Sequence, residues 1–435
     1  MRWLTSFLAG ALLATASLAA QGVTPDSTAR PITLQEALDL SLKVQPGMVT
    51  AIGNQRNAAA SSRSAIGSFL PSLSTNWSAI RGNNSRIDPT TGRPVPAGYS
   101  YTFGLTASLD LFTGLRRAFN LKATSATKDA ADAGLISQRF QTMLQTAQAF
   151  YAVLADQELV RVAQAQVLQA QQQLDISSQK LRAGSATRSD SLTSVVTLGN
   201  ARLTLLQAES NFATAEAAFG RQIGIDTPVR AVADTGLPTL PDTSNLRVEA
   251  LGAAPIVTQA DATARSARAQ IWTARSQYFP MINVSYNDAR QGITSPSVST
   301  VFNDYSETFS WRFGLSWTLF NGLVREQQQV SASVARDEAE AQAADARRQV
   351  NEQFTQYASA LNTAWAQIDI AKSNVTASEE ALRVQTERYK VGAGILLDVL
   401  TAQSNLTQAQ VSLVQAQFNY LIARAQLIAL VGHKL

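Results

Sequence analysis

The sequence contains no cysteine and only one histidine, His433, which lies next to the C-terminus. The lack of cysteine excludes disulfides and thiolate chemistry, and a single histidine cannot supply a histidine-based metal site. A residue this close to a chain end is also a poor candidate for catalysis, because termini are commonly poorly ordered. Since nucleophile motifs, phosphate-binding loops and clustered carboxylates are absent as well, we expect neither an enzyme nor a cofactor or metal site.

Charge is also sparse, at 16% of residues, with 36 basic and 32 acidic side chains. The basic residues are scattered, so the sequence has no nucleic-acid-binding footprint. The only long apolar run is N-terminal, "MRWLTSFLAGALLATASLAAQ", where Arg2 precedes the run and Ala19 and Ala20 end it. This pattern predicts a secretory signal peptide over residues 1–20 rather than a membrane anchor. Elsewhere no apolar run reaches the roughly 18 residues of a spanning helix.

The 13 prolines are absent from two long stretches, residues 97–227 and 297–435. Both stretches are rich in alanine, glutamine, leucine, arginine and glutamate, which are strong helix formers. They predict two long helical hairpins, over residues 115–224 and 323–432. The first helix of each hairpin would be roughly 100 Å long. An ordinary elongated coiled coil has the same helices, so the helices alone leave that alternative open.

The chain reads as two similar halves, because landmark residues recur at a nearly constant spacing. Gly392 lies 208 residues after Gly184, and the same spacing separates Asp190 from Asp398, Leu192 from Leu400, Phe212 from Tyr420 and Gly224 from Gly432. The segment "SWTLFNGLVR" follows "SLDLFTGLRR" at the same distance, and two pairs of prolines are 209 apart. Chance similarity between alanine-rich helices would not keep glycines and prolines in step. We therefore predict a duplication, with repeats over residues 21–237 and 238–435.

Each half also contains a pair of strand-like segments. In "YTFGLTASLDLF" and "FSWRFGLSWTLF" apolar and polar residues alternate, and both lie between polar, loop-like segments and the helices. Strands of about 9–11 residues with one lipid-like face are typical of outer-membrane barrels. We expect Trp77, Trp311 and Trp317 on the lipid side, although a soluble sandwich edge is the alternative. The predicted strands cover approximately residues 72–80, 101–112, 281–288 and 309–320.

Four strands are too few for one chain to close a membrane barrel. The smallest such barrels have about eight strands, and lipid does not tolerate an open sheet edge. Several chains must therefore contribute to one barrel. Its polar faces would line a wet lumen, and the long helices would leave on the side opposite the long loops.

The residues resemble the outer membrane efflux protein (TolC-like) family at four places. These are the prolines of "SFLPSL" and "QYFPMI", the motifs "LFTGLRR" and "LFNGLVR", the duplicated glycine–aspartate turn, and "RYKVGAGILLDVLTAQ". The resemblance implies a mainly α protein with a membrane β-barrel. A homotrimer would contribute four strands per protomer to a 12-stranded barrel, and a long α-helical coiled-coil tunnel would cross the periplasm.

The resemblance also implies a function without catalysis. The family forms the outer-membrane exit duct of tripartite efflux pumps or type I secretion systems and conducts substrate passively. An inner-membrane transporter supplies the energy, a periplasmic adaptor bridges the gap, and outer-membrane lipid surrounds the barrel. Two alternatives are a periplasmic coiled-coil adaptor and a structural envelope protein, neither of which needs two pairs of aromatic strands.

Site residues follow from the same resemblance. Asp398 matches an aspartate ring at the family's pore constriction, and Tyr389 and Asp190 match polar links that hold the tip closed. Thr401 stands where a second aspartate is found and Gly394 where an arginine is found, so we expect one ring and a different lock. Helix capping is the alternative role for both aspartates, because each lies in the first turn of a predicted helix.

The two glycine turns are the expected adaptor-docking sites. Gly184 and Gly392 place no side chain in the way of a partner, and Arg182 and Lys390 flank them. The alternative for the glycines is plain turn chemistry, since glycine adopts positive φ without strain. The alternative for the two cations is that they are solvated charges at helix ends.

Overall fold

The computed structural model describes residues 30–81, 86–87, 90–95, 99–233, 236–242, 246–293 and 306–433. The predicted signal peptide, residues 1–20, and parts of the two outer loops lie outside these residues. Within the described ranges, every helix is either too short or too polar to cross a membrane. The chain is mainly helical, as the sequence predicts.

Four long helices dominate the chain and form two hairpins. Helix α3 spans Arg116–Arg182 and α4 spans Arg188–Ile223; α7 spans Val324–Lys390 and α8 spans Leu396–Val431. Helices α3 and α7 have 67 residues each, and α4 and α8 have 36 each. At 1.5 Å per residue, α3 and α7 are roughly 100 Å long. Small buried residues such as Ala343 and Ala402 let neighbouring helices approach closely.

Shorter elements pack against the two longest helices. Helices α1 (Leu34–Val44) and α2 (Pro46–Gly67) pack against α3, while α5 (Leu246–Ala253) and α6 (Pro255–Arg275) pack against α7. Both α2 and α6 carry proline in the first turn, where its missing N–H is not needed. Strands β1 (Arg30–Ile32) and β6 (Val229–Ala231) form a parallel pair. This pair was not predicted, because three residues are too few to show an alternating pattern.

A four-stranded antiparallel sheet lies beyond the N-terminal ends of α3 and α7, opposite the hairpin tips. Its order is β2–β5–β7–β8, with β2 at Ser72–Arg81, β5 at Tyr99–Thr113, β7 at Met281–Ile293 and β8 at Ser306–Ser316. Two short strands in the first outer loop, β3 (Arg86–Ile87) and β4 (Pro94–Val95), pair with each other.

Strand β8 ends earlier than the predicted segment 309–320. Ser316 pairs with Met281, the first residue of β7, so residues 317–320 have no partner strand in the part of the chain that the structure describes. Strand β5 continues further, to Thr113, through an irregularity between Asp110 and Phe112.

The register separates the sheet into an apolar and a polar face. On the apolar face, Trp77 lies opposite Phe103, and Tyr286 lies opposite Trp311. The apolar side chains of β8 on this face are exposed in a single chain. The polar face carries hydroxyl and amide groups, and the hydroxyl of Thr106 donates to Asn287 Oδ1 at 2.9 Å. The alternation predicted from the sequence is therefore present in the fold.

Glycine and leucine shape each junction from sheet to long helix. Gly114 and Leu115 have φ values of 62° and 64°, and Gly322 and Leu323 have 65° and 67°. Left-handed backbone is favourable for glycine but costs about 1–2 kcal/mol for leucine. The motif "LF-x-GL" thus encodes the turn that redirects each strand into a helix.

An arginine in the first turn of each of the two longest helices holds this junction together. Arg117 donates to the Ser68 carbonyl at 2.8 Å, just past the end of α2. Arg325 donates to the carbonyls of Thr318 at 2.6 Å and Leu319 at 2.7 Å, just past β8. Since guanidinium groups bind several carbonyls at once, these arginines satisfy backbone oxygens that the turn would otherwise leave unpaired.

Candidate pore constriction at the hairpin tips

The two hairpin tips have the same turn geometry. Gly184 follows α3 with φ 74°, and Gly392 follows α7 with φ 81°. The N–H of Ser185 donates to the Lys180 carbonyl at 2.9 Å, and the N–H of Ala393 donates to the Arg388 carbonyl at 2.8 Å. These are six-to-one bonds of the Schellman motif, which ends helices at a left-handed glycine. A Cβ at either glycine would meet no atom within 4 Å, so backbone conformation accounts for both glycines.

Asp190 caps α4. Its Oδ2 accepts from the Thr187 N–H at 3.1 Å, and the Thr187 hydroxyl accepts from the Asp190 N–H, also at 3.1 Å. This reciprocal pair is a capping box. Asp190 therefore has the capping role that was the alternative to a pore role, and one of its carboxylate oxygens is used in the capping box.

Asp398 has different surroundings at the equivalent position of α8. Ile395 precedes the helix, and its side chain cannot complete a capping box. Asp398 is half-buried in the first helical turn, and no hydrogen bond or ion pair engages its carboxylate in the described part of one chain. The negative charge still suits the helix N-terminus.

Asp398 and Thr401 line a groove of about 640 Å³ between α7 and α8. The other lining side chains are small or uncharged, and they are Ala371, Asn374, Ala377, Ser378, Ala381, Gln385, Ala402, Asn405, Gln408, Ala409 and Ser412. Asp398 is thus the only charged residue of this groove, which leaves its carboxylate as the group that attracts cations there.

Tyr389, at the end of α7, is 4% exposed and packs with Leu396 and Val399. Ile176 of α3 covers the same cluster. Burial raises the pKa of the Tyr389 phenol, and the nearby Asp190 carboxylate raises it further. The hydroxyl makes no hydrogen bond to any described residue. Tyr389 and Asp190 therefore lie near each other, but the expected polar link through this hydroxyl is not formed within the chain.

Lys180 is the tip residue that the sequence analysis did not identify. Its ammonium donates to the Tyr389 carbonyl, lies 3.5 Å from the Lys390 carbonyl, and sits 4.4 Å from the centre of the Tyr389 ring. The available signal was a lysine in the last turn of α3, but such lysines usually interact with the carbonyls of their own helix end. Only the packing of the two hairpins shows that Lys180 contacts α7.

The two flanking cations are exposed. Lys390 pairs with Glu387 one turn earlier on α7, at 2.9 Å. Exposed pairs of this kind contribute little stability. Arg182 also lies at the surface, at the last residue of α3. The two glycines and the two cations therefore lie on an exposed surface at the hairpin tips, with open space where a side chain at either glycine would project.

Known outer-membrane proteins resemble this chain over most of its length. The family model described as outer membrane efflux protein matches residues 37–224 and 246–433. The outer membrane efflux protein BepC of Brucella suis is 24% identical over 374 residues, which cover 84% of this chain and 77% of BepC. Protein CyaE of Bordetella pertussis is 25% identical over 394 residues, covering 87% of this chain and 79% of CyaE.

Solved structures show the same fold. The outer membrane protein VceC of Vibrio cholerae superposes with a TM-score of 0.77 at 20% identity, covering 92% of this chain and 96% of VceC. The CmeC outer membrane channel of Campylobacter jejuni gives 0.76 at 18% identity, covering 92% and 85%. The family match spans both hairpins and both strand pairs, which favours a channel over the adaptor and envelope alternatives. The chain belongs to the outer membrane efflux protein family.

Proposed function

We propose that three copies of this chain form a passive exit duct across the outer membrane, fed through a periplasmic adaptor by an inner-membrane transporter. The family is one of outer-membrane channels rather than enzymes, and its helical part lies in the periplasm. The observation that carries the proposal is a sheet with two open edges at the end of two hairpins roughly 100 Å long.

The sheet edges support assembly. Strands β2 and β8 are the outer members of the sheet, and nearly all their residues are exposed. Unpaired backbone groups are costly in lipid, so each edge needs a partner strand. Pairing β8 of one chain with β2 of the next closes a barrel, and three chains give 12 strands. The apolar face then contacts lipid and the polar face lines the lumen.

An internal duplication would let each chain supply two equivalent parts of the wall. The two halves have long helices of equal length, and the family model matches each half separately. Gly114 and Gly322 begin equivalent junctions, and Gly224 and Gly432 end equivalent helices with left-handed φ values of 72° and 90°. Three duplicated chains would produce a wall with pseudo-sixfold symmetry.

At the closed end of the duct, Asp398 would form a ring of three carboxylates. Like charges in a narrow, wet opening repel one another, bind cations and favour cation passage. Asp190 contributes less to this field, because its carboxylate accepts the Thr187 N–H. Thr401 lies one turn further along the groove and adds hydroxyls but no charge.

The adaptor would dock on the glycine turns. Gly184 and Gly392 are exposed, and their surroundings are open where a side chain would project. Arg182 and Lys390 border the turns and offer positive charge to a partner. The relative TtgC of Pseudomonas putida is described as an efflux pump component, and this chain would have the corresponding place in a pump or a secretion system.

The proposal is tested by purifying the protein from outer membranes and inserting it into planar bilayers. We expect a detergent-stable trimer that conducts ions in small, discrete steps while the tip is closed. A soluble monomer that never conducts would contradict the channel function. Deleting the gene should also cause a transported compound to accumulate in cells, and expression from a plasmid should reverse this.

A further inference from the structure

We propose that Lys180 is a positioning residue that fastens the second hairpin tip to the first within each chain and so sets the closed constriction. This inference rests on the proposed function of the tip as a constriction. It assigns the lock to a cation on α3, whereas the resemblance suggests a link through Tyr389 and Asp190.

Three contacts of one ammonium group carry the inference. Lys180 donates to the Tyr389 carbonyl, lies 3.5 Å from the Lys390 carbonyl, and sits 4.4 Å from the centre of the Tyr389 ring. The last carbonyls of a helix have no partner within it and carry partial negative charge. A cation over an aromatic face is attracted by the ring as well. Lys180 therefore complements the end of α7 in two ways at once.

Tyr389 connects Lys180 with the proposed pore residue, Asp398, through side-chain packing. Tyr389 packs on Leu396 and Val399, which lie on either side of Asp398 in the first turn of α8. Ile176, one turn before Lys180, packs on the same cluster. Moving the end of α7 away from α3 would therefore also move the helical turn that carries Asp398. Lys180 acts on the constriction through Tyr389, without being part of the ring itself.

The duplication provides a matched control. Arg388 is the residue 208 positions after Lys180, one turn before Gly392. Its guanidinium lies 3.4 Å from Gln385 Oε1 and 3.3 Å from the Ala393 carbonyl. Both partners belong to its own helix and turn, so Arg388 does not join the hairpins. Removing this charge tests the general loss of a cation at the tip without removing the link.

The experiment measures single-channel conductance and block by divalent cations in planar bilayers. We expect Lys180→Met to raise the population of open tips about tenfold, the factor that corresponds to the loss of about one charged hydrogen bond. Divalent block should weaken in the same variant, because the Asp398 carboxylates separate. Lys180→Arg should restore most of the closure, and Arg388→Met should behave like the wild-type protein.

Two results would overturn the inference. One is a Lys180→Met channel with wild-type conductance and block. The other is an equal opening by Arg388→Met, which would show a general effect of tip charge. If Lys180→Met does not assemble, Lys180→Gln is measured by the same criteria, with thermal stability of the trimer recorded for each variant. A wild-type protein that never conducts would instead refute the proposed function, which separates the two failures.

Discussion

Asp190 and Asp398 occupy equivalent positions in the two halves, yet of the two carboxylates only that of Asp190 has a hydrogen-bond partner among the described residues. The cause is the residue three positions earlier, which is Thr187 in one half and Ile395 in the other. The threonine hydroxyl completes a capping box with Asp190, whereas isoleucine has no polar group to offer Asp398. One substitution at a helix N-cap thus distinguishes a capping aspartate from a candidate pore aspartate.

We predict that Asp398→Asn abolishes most of the block by divalent cations added on the periplasmic side, because the ring loses its charge. The measurement is block of ion current in planar bilayers. Asp190→Asn is the control, and it should retain the block while losing up to about 1 kcal/mol of stability from the altered cap. Unchanged block in Asp398→Asn would show that the ring is formed by other residues.

We predict that Tyr389→Phe closes like the wild-type protein, since the hydroxyl is unpartnered among the described residues while the ring contacts Lys180. Tyr389→Ala should open the tip, because it removes both the ring and the packing on Leu396. Conductance and thermal stability of the two variants are compared directly. If Tyr389→Phe opens the channel as much as Tyr389→Ala does, the Tyr389 hydroxyl has a hydrogen-bond partner in the trimer.

At the scale of elements, the two sheet-to-helix junctions look alike but tolerate change differently. A Cβ at Gly114 would lie 2.6 Å from Phe279 Cβ and 2.7 Å from the Ser276 carbonyl, whereas a Cβ at Gly322 meets nothing within 4 Å. Both glycines have positive φ, so alanine at either position strains the backbone by about 1–2 kcal/mol. Of these two glycines, only Gly114 would also bring the added methyl group into a steric clash.

We therefore predict that Gly114→Ala lowers the thermal stability and the outer-membrane yield more than Gly322→Ala does. The extra loss should be about 1–3 kcal/mol, the usual cost of overpacking a tight site. Thermal unfolding of the purified trimers measures the difference. Equal losses in the two variants would mean that the surroundings of Gly114 relax freely around the added methyl group.

The two long hairpins and the four strands of the large sheet could be predicted because their signals are local. The proline-free stretches fix the long helices, and alternation fixes strands such as β5. The remainder depends on partners distant in sequence. Strand β8 ends at Ser316 because β7 supplies no opposite residue beyond that point. Lys180 joins the site only because α3 packs on α8 of the second hairpin, which brings the last turn of α3 to the end of α7. No pattern within the sequence of α3 indicates these neighbours.

For the whole molecule, a single chain leaves too much unpaired to be the functional unit. Both sheet edges are open, and the apolar face of β8 is exposed, with Phe313 75% and Leu315 73% accessible. Apolar exposure on this scale marks a surface that contacts lipid or another chain. In the proposed ring of three chains, each edge would pair with an edge of the next chain, and the apolar face would contact the membrane.

The absence of cysteine makes cross-linking the most direct test of this assembly. One cysteine replaces Ser74 on β2, and a second replaces Thr308, Ser310 or Arg312 in turn, all on the polar face of β8. Within one chain, β2 and β8 are separated by two strands, or about 14 Å, which is too far for a disulfide. Any bond must therefore join different chains.

We predict that mild oxidation of outer membranes gives a covalent trimer on a denaturing gel in at least one of these pairs. A cysteine at Thr106, on the interior strand β5, should give none with the same β8 partners. If no β2–β8 pair cross-links and the protein is recovered as a soluble monomer, the three-chain duct is contradicted.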